Sequence, residues 1–417
     1  MKICKICLYT ENHPLNIIID NEGICSGCRI HEEKDNINWG IKSLELKELL
    51  ENYKNKSGNN YDCIIPVSGA SDSYFIVHTI KNIYGMNPLL VTYNKHYNTS
   101  VGVRNLANLR TKFDCDIITL TVNPETVKKI TRATIRKLGS IYWHCIAGQT
   151  VFPVQIAVKF KIPLIIWGAH QGVDQVGMFS HHDKVEMTRK YRKEHDLMGF
   201  EAEDLIDEFD SILESDIIQY KYPTNEEIEK IGVRGIYLNN YHRWDSKTQH
   251  EEMIKLYDFE SNIQNRTFDT YNNVDCWNYS DVHDYIKLIK HGYGKVTDHA
   301  CREIRFGRLS RDQALSLIFK YQLIKPIYLD KFLEWFGITE NSFFYLIDQH
   351  RNKEFWERTD QWKWEFVIPY DFEGHELLNI NSKRINFKSV KIDFIITNKK
   401  HSVDKINEYI LIGKGVI

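Results

Sequence analysis

Four cysteines near the start of the chain have the spacing of metal ligands. Cys4 and Cys7 form one C-x2-C pair, Cys25 and Cys28 form a second, and 17 residues separate the pairs, which is typical of zinc ribbons and knuckles. Four thiolates close a tetrahedral zinc site at about 2.3 Å per bond and leave no open coordination position. The pattern therefore predicts a structural zinc site, with four unrelated buried cysteines as the alternative.

A second group of residues has the types needed to bind phosphate. An apolar run at residues 63–67 predicts a buried strand, and apolar residues at 75–80 predict a helix. The loop between them reads Ser68, Gly69, Ala70, Ser71, Asp72, Ser73. Backbone N–H groups and hydroxyls at a helix N-terminus bind anions, because the helix dipole favours negative charge there. The loop therefore predicts a pyrophosphate site, with a serine-rich turn that binds nothing as the alternative. It is not a Walker loop, since G-x4-G-K-[ST] is absent.

The elements around this loop alternate as they do in a parallel α/β sheet. The pattern predicts strands at 88–93, 116–122 and 162–167, and helices at 41–53, 101–113, 124–138 and 148–160. In such sheets ligands bind beyond the carboxyl ends of the strands, which here means residues 68–73, 94–96 and 168–177. Asn94, His96 and His170 are therefore candidates to contact a nucleotide or substrate, although a lone loop histidine is more often only solvated.

The loop resembles the PP-loop motif S-G-G-x-D-S of enzymes that cleave ATP between the α and β phosphates, with Ala70 in place of the second glycine. From Cys4 to about Trp356 the chain resembles the N-acetyl sugar amidotransferase family of surface-polysaccharide and flagellar sugar pathways. The shared motifs are C-K-I-C with G-I-C-S-G-C, P-V-S-G-A-S-D-S-Y-F, L-L-V-T-Y-N-K-H with V-R-N-L and A-G-Q-T-V-F-P, and K-H-G-Y-G-K-V-T-D-H-A-C-R-E-I-R-F-G-R-L-S-R-D-Q-A.

This resemblance implies an enzyme that uses Mg-ATP to adenylate the N-acetyl oxygen of a bacterial surface sugar, such as a nonulosonic acid or an amino sugar. Ammonia then replaces the oxygen and leaves an acetamidino group. In this family the ammonia comes from a separate glutaminase with a cyclase-like partner. Residues 68–73, together with Asn94 and His96 at the end of the next strand, are therefore expected to bind ATP, and Asp72 and Ser73 are expected to act in catalysis.

Residues 168–177 depart from the family pattern, because they lack its glutamate-rich form. They lie where the substrate is expected to meet the adenylate. Asp174 and His170 are accordingly candidates to bind sugar hydroxyls or to take protons from ammonia.

Residues toward the C-terminal side suggest a second domain. In a segment that resembles a family signature, helical spacing puts Asp298, Arg302 and Arg305 on one face, and Lys295 and Glu303 lie nearby. These residues either contact phosphate or substrate, or form a lattice of ion pairs that holds the domain together. Ser310 and Gln313 match a capping box that starts the next helix. Aromatic residues at 237–244 either stack on a sugar or belong to the core.

We expect an α/β fold with a parallel-sheet PP-loop domain and smaller modules around it. The expected limits are a zinc ribbon at 1–40, the PP-loop domain at 41–235, a mostly helical substrate or partner region at 236–358, and a β-rich extension at 359–417. The extension has short β-type runs at 366–369, 390–396 and 409–412.

Length and charge limit the classes of protein that the chain can be. At 417 residues it is longer than one hydrophobic core usually organises. A net charge of -2 offers no overall attraction for polyanions, which argues against a nucleic-acid partner. No apolar run approaches the roughly 18 residues of a membrane helix, and the first residues lack the apolar segment of a signal peptide. We therefore expect a cytoplasmic protein without a membrane segment.

Two other functions stay open at this point. A PP-loop tRNA thiolase would need catalytic cysteines and a basic RNA surface. The remaining cysteines make no further C-x2-C pair: Cys63, Cys115, Cys145, Cys276 and Cys301. A scaffold that keeps the fold while Ala70 abolishes ATP use is the other alternative.

Overall fold

A computed structural model describes residues 2–209 and 211–367 of the chain. Its central element is a parallel sheet of five strands. These are β1 (Cys63–Pro66), β2 (Pro88–Tyr93), β3 (Ile117–Leu120), β4 (Leu164–Trp167) and β5 (Arg234–Tyr237). A small antiparallel pair, β6 (Trp356–Arg358) and β7 (Trp364–Phe366), lies at the end of the described residues.

The order of the strands places a ligand crevice beside β1. The order is β3-β2-β1-β4-β5, so the chain moves outward from β1 in one direction, crosses over, and continues from β4 in the other. Strand residues such as Ile64, Leu90 and Ile165 are fully buried, as expected for a parallel sheet covered on both faces. In open α/β sheets ligands bind where the order reverses, beyond the carboxyl ends of the strands. Here that point lies between β1 and β4.

Helices cover the sheet and continue beyond it. Those before β5 are α1 (Ser26–Asn36), α2 (Trp39–Tyr53), α3 (Ser71–Val77), α4 (Ser100–Phe113), α5 (Pro124–Leu138), α6 (Trp143–Phe160), α7 (Gln171–Asp174), α8 (Arg189–Tyr191), α9 (Ala202–Glu208), α10 (Glu214–Ile217) and α11 (Asn225–Ile231). Those after β5 are α12 (Ser246–Tyr257), α13 (Trp277–His291), α14 (Lys295–Arg305), α15 (Arg311–Tyr321), α16 (Leu329–Phe336) and α17 (Glu340–Asp348). Short π-helical turns are found at His78–Ile83 and Arg192–Asp196, and 3-10 turns at Ile218–Tyr220 and Leu238–Asn240.

Local sequence signals set the ends of several helices. The Asn123 side chain accepts a hydrogen bond from the Glu125 N–H, and Pro124 occupies the first turn of α5. The same helix ends at Gly139, which has the left-handed φ of 56°. The predicted capping box of Ser310 and Gln313 starts α15 and is confirmed.

The predicted parallel-sheet fold is confirmed, with shifts at some boundaries. The predicted helices at 41–53, 101–113 and 124–138 and the predicted strands are present, and α6 begins at Trp143 rather than near 148. Helix α1 and strand β5 are additional elements that the sequence pattern did not predict. The β-type runs expected at 390–396 and 409–412, and part of the one at 366–369, lie outside the described residues.

Hydrophobic cores join the sheet to the C-terminal part of the chain. The core on one side of the sheet includes Ile236, Phe259 and Val274 together with residues of β1 and α3. A second core unites the four N-terminal cysteines with α14 and α15 through residues such as Val296 and Leu317. Helices α13, α16 and α17 share a third core with part of α5. Among the described helices, none has the length and apolar character to cross a membrane.

Candidate functional site

The four predicted zinc ligands come together in the structure. The Sγ atoms of Cys4, Cys7, Cys25 and Cys28 all lie within 4.8 Å of one another, and the four residues are buried. Cys4 and Cys28 are 3.9 Å apart and Cys7 and Cys25 are 3.6 Å apart, measured between sulfur atoms. A tetrahedral zinc with bonds of about 2.3 Å separates its sulfurs by roughly 3.8 Å. The thiolate set therefore fits zinc, in a closed site with no position for substrate. We call residues 2–36, which contain these cysteines and α1, the zinc module.

The phosphate loop lies between β1 and α3 and closes on itself. The Ser68 N–H donates to the Ser73 hydroxyl at 2.8 Å, and the Ala70 N–H donates to the Ser68 hydroxyl at 3.2 Å. Ser71 and Ser73 are buried, 3% and 5% exposed. Because α3 starts at Ser71, the free backbone N–H groups of its first turn are available to an anion in the loop.

Two consecutive small residues of this loop meet different constraints. A Cβ atom on Gly69 would lie 2.3 Å from the backbone oxygen of Gly102 in α4, so position 69 has no room for a side chain. Ala70 has φ −91° and ψ 162°, an extended conformation open to any residue. The replacement of the second motif glycine by Ala70 therefore causes no backbone strain.

A cavity of about 290 Å³ opens on the first half of the phosphate loop. Ser68 and Gly69 line one end, and the ends of β2 and β3 with the apolar residues Leu106 and Ala107 of α4 line the other. Asn94 belongs to the wall, and its Oδ1 accepts hydrogen bonds from the N–H of His96 and from Asn98 Nδ2. A polar end at the phosphate loop and an apolar end between strand and helix suit a nucleotide.

A buried ion pair lies in the wall of this cavity, which we call the nucleotide cavity. Lys95, which follows β2, donates from Nζ to Asp275 Oδ2 at 2.7 Å, and both side chains are less than a tenth exposed. The second carboxylate oxygen, Asp275 Oδ1, is buried and has no hydrogen-bond partner among the described residues. The sequence pattern did not indicate this pair, because its two members are 180 positions apart. Only the position of Lys95 at the carboxyl end of a strand could have pointed to it.

A second cavity, of about 400 Å³, opens on the other half of the phosphate loop. Asp72 lines it on the side of the loop. The zinc module supplies Tyr9, His31 and Lys34, the region after β4 supplies Asp174 and Gln175, and Trp244 adds an aromatic face. The face of α14 that was predicted from its spacing supplies Asp298, Arg302 and Arg305, and Lys295 lines the cavity as well. The phosphate loop thus separates two cavities, and each is of a size that fits a small molecule.

The carboxyl group of Asp72 has a raised pKa. Its pKa is raised to about 6, mainly by burial and further by the carboxylates of Asp174 and Asp269, against the opposing effect of Arg302. Repulsion from other carboxylates disfavours the ionised form, whereas a divalent cation in the cavity would stabilise it. The side chains present therefore fit a Mg²⁺ ion beside Asp72, with Asp174 as a further carboxylate that lines the cavity.

The two candidate residues after β4 take different positions. Asp174 lines the second cavity and forms an ion pair with Lys34 of α1. His170 is 2% exposed, and its ring packs against Phe179, Tyr191 and Tyr237 rather than in the wall of either cavity. Burial lowers the pKa of His170 to about 4, so the ring is neutral at pH 7.

The predicted nucleotide contact at His96 is also placed outside the two cavities. His96 has a left-handed φ of 67°, and its backbone N–H donates to Asn94 Oδ1 at 3.0 Å. Burial lowers the pKa of its ring. The structure therefore brings Asn94 to the nucleotide cavity and His96 to the turn that positions Asn94.

The charged face of α14 forms ion pairs and also lines the second cavity. Arg302 donates to Asp269 at 2.8 Å and to Glu303 at 2.7 Å, so it belongs to an ion-pair network while it lines the cavity. Asp298 accepts hydrogen bonds from Tyr9 Oη at 2.7 Å and from Gln175 Nε2 at 2.9 Å. These contacts connect the zinc module, the region after β4 and α14 in one wall of the second cavity.

One part of the chain matches a known protein family. Residues 265–368 match the family model described as LPS biosynthesis protein WbpG-like, C-terminal domain. A curated relative, the uncharacterized protein MJ1599 of Methanocaldococcus jannaschii, is 29% identical over 117 residues. That alignment covers 28% of this chain and 42% of the relative, less than half of its length.

Two solved structures are similar over about half of the chain. An NH3-dependent NAD synthetase from Campylobacter jejuni subsp. jejuni NCTC 11168, in complex with the nitrate ion, is 13% identical and has a TM-score of 0.27. The match covers 47% of this chain and 92% of that one. An NMN synthetase from Francisella tularensis is 11% identical, with a TM-score of 0.27, and covers 53% and 96% of the two chains.

The family match falls on the segment that the sequence resemblance had singled out, because residues 265–368 contain α14 and its cavity-lining face. The match confirms the resemblance to sugar biosynthesis proteins. We call residues 265–368, which are similar to the C-terminal domain of WbpG-like LPS biosynthesis proteins, the WbpG-like domain.

Proposed function

We propose that the protein is an ATP-dependent amidotransferase that converts the N-acetyl group of a bacterial surface sugar into an acetamidino group. One observation carries this proposal: the phosphate loop separates a nucleotide cavity from a second cavity, which the WbpG-like domain helps to line. An adenylation reaction needs that arrangement, because the α-phosphate must lie between the nucleoside and the acceptor oxygen.

The nucleotide cavity is proposed to hold the adenosine of ATP. The apolar wall at Leu106 and Ala107 suits the base, and Ser68 and Gly69 border the position of the phosphates. Backbone N–H groups in the first turn of α3 and the loop hydroxyls would bind pyrophosphate. A Mg²⁺ ion beside Asp72 would supply the charge that stabilises the departing pyrophosphate.

The second cavity is proposed to hold the N-acetylated sugar. Trp244 offers an apolar face for a sugar ring, and Arg302 and Lys295 offer donors to its polar substituents. An amide carbonyl is a poor electrophile, so transfer of AMP to its oxygen creates the leaving group that ammonia then displaces. Asp174 is the candidate to take a proton from the incoming ammonia, since it lies in the wall beside Asp72. The ammonia is proposed to come from a separate glutaminase with a cyclase-like partner.

The test is a reaction with Mg-ATP, ammonium chloride and a panel of N-acetylated bacterial sugars, including nonulosonic acids and nucleotide-linked amino sugars. The expected result is sugar-dependent release of AMP and pyrophosphate, together with a sugar product lighter by the difference between an oxygen atom and an NH group. Release of AMP with tRNA and not with sugars would instead support a PP-loop thiolase. Binding of ATP without turnover on any acceptor would support a scaffold.

A matched pair of variants makes this test specific to the proposed site. Asp72→Asn removes the carboxylate that faces the second cavity and is expected to lower AMP formation by roughly 10²-fold or more, because it removes the proposed metal ligand. Glu226→Gln makes the same charge change on an exposed residue of α11 and is expected to keep normal activity. Equal activity of the two variants would exclude Asp72 from the reaction.

A further inference from the structure

The zinc module forms part of the wall of the second cavity. Tyr9, which follows the first cysteine pair, and His31 and Lys34 of α1 line that cavity. Helix α1 begins at Ser26, immediately after the third cysteine ligand. The position of the two α1 side chains therefore depends on how the second cysteine pair is held.

The residues after β4 pack tightly against this module. The Ser26 hydroxyl donates to the backbone oxygen of Val176 at 2.6 Å. A Cβ atom on Gly177, which has φ +66°, would lie 2.3 Å from the backbone oxygen of Ser26. Lys34 forms the ion pair with Asp174. Segment 171–177, which carries the proposed proton acceptor, therefore rests on the start of α1.

Arg305 of α14 joins the cysteine cluster to this segment through one guanidinium group. Its Nη1 donates to the backbone oxygen of Gln175 at 2.7 Å and approaches that of Asp174 at 3.3 Å. Its Nη2 lies 3.7 Å from Cys25 Sγ. The guanidinium also lies over the ring of Tyr9, 5.4 Å from the centroid. A Cβ atom on Gly27 would come within 2.2 Å of Nη2, so a glycine inside the second cysteine pair permits this approach.

The charge and the rigidity of the Arg305 guanidinium explain how it can link the cysteine cluster to segment 171–177. Four thiolates around one Zn²⁺ keep a net negative charge, and a guanidinium that donates to one of the sulfurs stabilises that charge. The guanidinium is planar and permanently charged, so its two nitrogens hold the sulfur and the carbonyl oxygens at a fixed separation. A shift of Cys25 would be transmitted through this rigid group to the backbone at Asp174 and Gln175.

We propose that the four-cysteine centre positions the second cavity and that Arg305 is the positioning residue that couples it to segment 171–177. Zinc bound by the cysteines fixes Cys25, Arg305 then fixes the carbonyl groups of Asp174 and Gln175, and the Asp174 carboxylate is held in the cavity wall. The zinc site thus contributes to the geometry of substrate binding as well as to folding.

Hydrogen exchange of segment 171–177 tests this coupling in the full chain. Arg305→Gln, with zinc bound, is expected to raise the exchange rates of that segment by roughly tenfold or more while those of β1 stay unchanged. Removal of zinc from the native protein with a chelator is expected to raise the same rates. The two changes together are expected to raise the exchange rates of segment 171–177 little more than either change alone, because both break the same connection. Fully additive effects, or unchanged rates in the segment, would overturn the proposal.

Arg311→Gln is the matched control for the loss of an arginine near the cysteines. Arg311 Nη1 donates to the backbone oxygens of Cys4 and Cys7, which form the first cysteine pair, whereas Arg305 contacts Cys25 of the second pair. This variant is expected to raise exchange around Cys4 and Cys7 and to leave segment 171–177 within about twofold of the native rates. A rise in segment 171–177 equal to that of Arg305→Gln would show a general loosening and would overturn the assignment to Arg305.

A conservative variant and a kinetic measurement separate positioning from general stability. Arg305→Lys keeps the charge and one donor, and it is expected to restore part of the protection of segment 171–177 that Arg305→Gln loses. In steady-state kinetics Arg305→Gln is expected to raise KM for the sugar by about tenfold and to leave KM for ATP unchanged. This kinetic part rests on the proposed function, whereas the exchange part does not. Exchange coupling without sugar turnover would therefore count against the proposed function alone.

Discussion

At the scale of single residues, the phosphate loop shows how one methyl group can be forbidden at one position and permitted at the next. Gly69 faces the backbone of Gly102, where no side chain fits. Ala70 has an ordinary extended backbone and occupies the N-cap position of α3 without a side-chain capping hydrogen bond. The departure from the motif at position 70 is thus compatible with a working loop, because the position that needs a glycine still has one.

The first prediction concerns this pair of positions. Gly69→Ala is expected to destabilise the protein by roughly 1–3 kcal/mol and to abolish AMP formation, because the new methyl group displaces α4 from the loop. Ala70→Gly is expected to change the free energy of unfolding by less than about 1 kcal/mol and to keep activity, since glycine is also accepted at a helix N-cap. Urea denaturation and AMP release measure both. A tolerated Gly69→Ala together with an inactive Ala70→Gly would contradict this account of the loop.

The second prediction concerns the charge of Asp72. Its pKa in the folded protein, about 6, lies above its ordinary value of 3.8, so ionisation of Asp72 opposes folding. This penalty is fully present well above pH 6 and disappears as the pH falls toward 4. Asp72→Asn is therefore expected to raise the melting temperature more at pH 8 than at pH 5, as thermal unfolding at the two pH values would show. An equal gain at both pH values would contradict the raised pKa.

At the scale of elements, the zinc module and α14 share one core although the contacting residues Leu8 and Cys301 are 293 positions apart. The Leu8 N–H donates to Cys301 Sγ at 3.4 Å, which is a contact between the first cysteine pair and α14. The core around them contains the four cysteines and apolar residues of α14 and α15. Loss of the metal would therefore loosen α14 as well as the short N-terminal turns.

The third prediction follows from this shared core. Cys28→Ser is expected to lose zinc and to lower stability by several kcal/mol, because a structural zinc site contributes its binding free energy to folding. Cys115→Ser, a change at another buried cysteine outside the cluster, is expected to keep one zinc ion per chain. Metal analysis and urea denaturation compare the two. Retention of zinc by Cys28→Ser would exclude this cysteine as a ligand.

Elements were predictable from the sequence where local signals are strong. Helix α5 begins and ends as predicted because Asn123, Pro124 and Gly139 mark its ends. Helix α1 was not predicted, because its sequence is mostly polar and buries the polar residues His31 and Lys34 instead of an apolar stripe. Strand β5 was not predicted, because its four residues include Arg234 and Gly235 and therefore do not form an apolar run. Tertiary contacts supply what the local pattern lacks in both cases.

At the scale of the whole molecule, the site is assembled from segments that no local pattern connects. The cysteine pairs and the phosphate loop were predictable because each motif lies within a few residues. The walls of the two cavities were not predictable, because Lys34 pairs with Asp174 and Lys95 pairs with Asp275 across large separations in sequence. Each of these ion pairs joins two regions that were expected to be separate domains. The cavities therefore depend on how the regions are packed against one another.

The last prediction tests that dependence through the buried pair of Lys95 and Asp275, which joins the end of β2 to the WbpG-like domain. Lys95→Met or Asp275→Asn alone is expected to cost about 3–5 kcal/mol, because each leaves a buried charge without its partner. The double variant is expected to cost less than the sum of the two, by roughly 1–3 kcal/mol, because no buried charge remains.

Urea denaturation of the four proteins of this cycle measures the coupling. Lys137 and Glu208 provide the control, since their charged atoms are also 2.7 Å apart but both side chains are about two-fifths exposed. That exposed pair is expected to show a coupling below about 1 kcal/mol, because water screens it. If the costs at Lys95 and Asp275 add as those of independent sites do, the WbpG-like domain is not held to the sheet through this pair. A large coupling would instead mean that this buried pair holds the WbpG-like domain to the end of β2, in the wall of the nucleotide cavity.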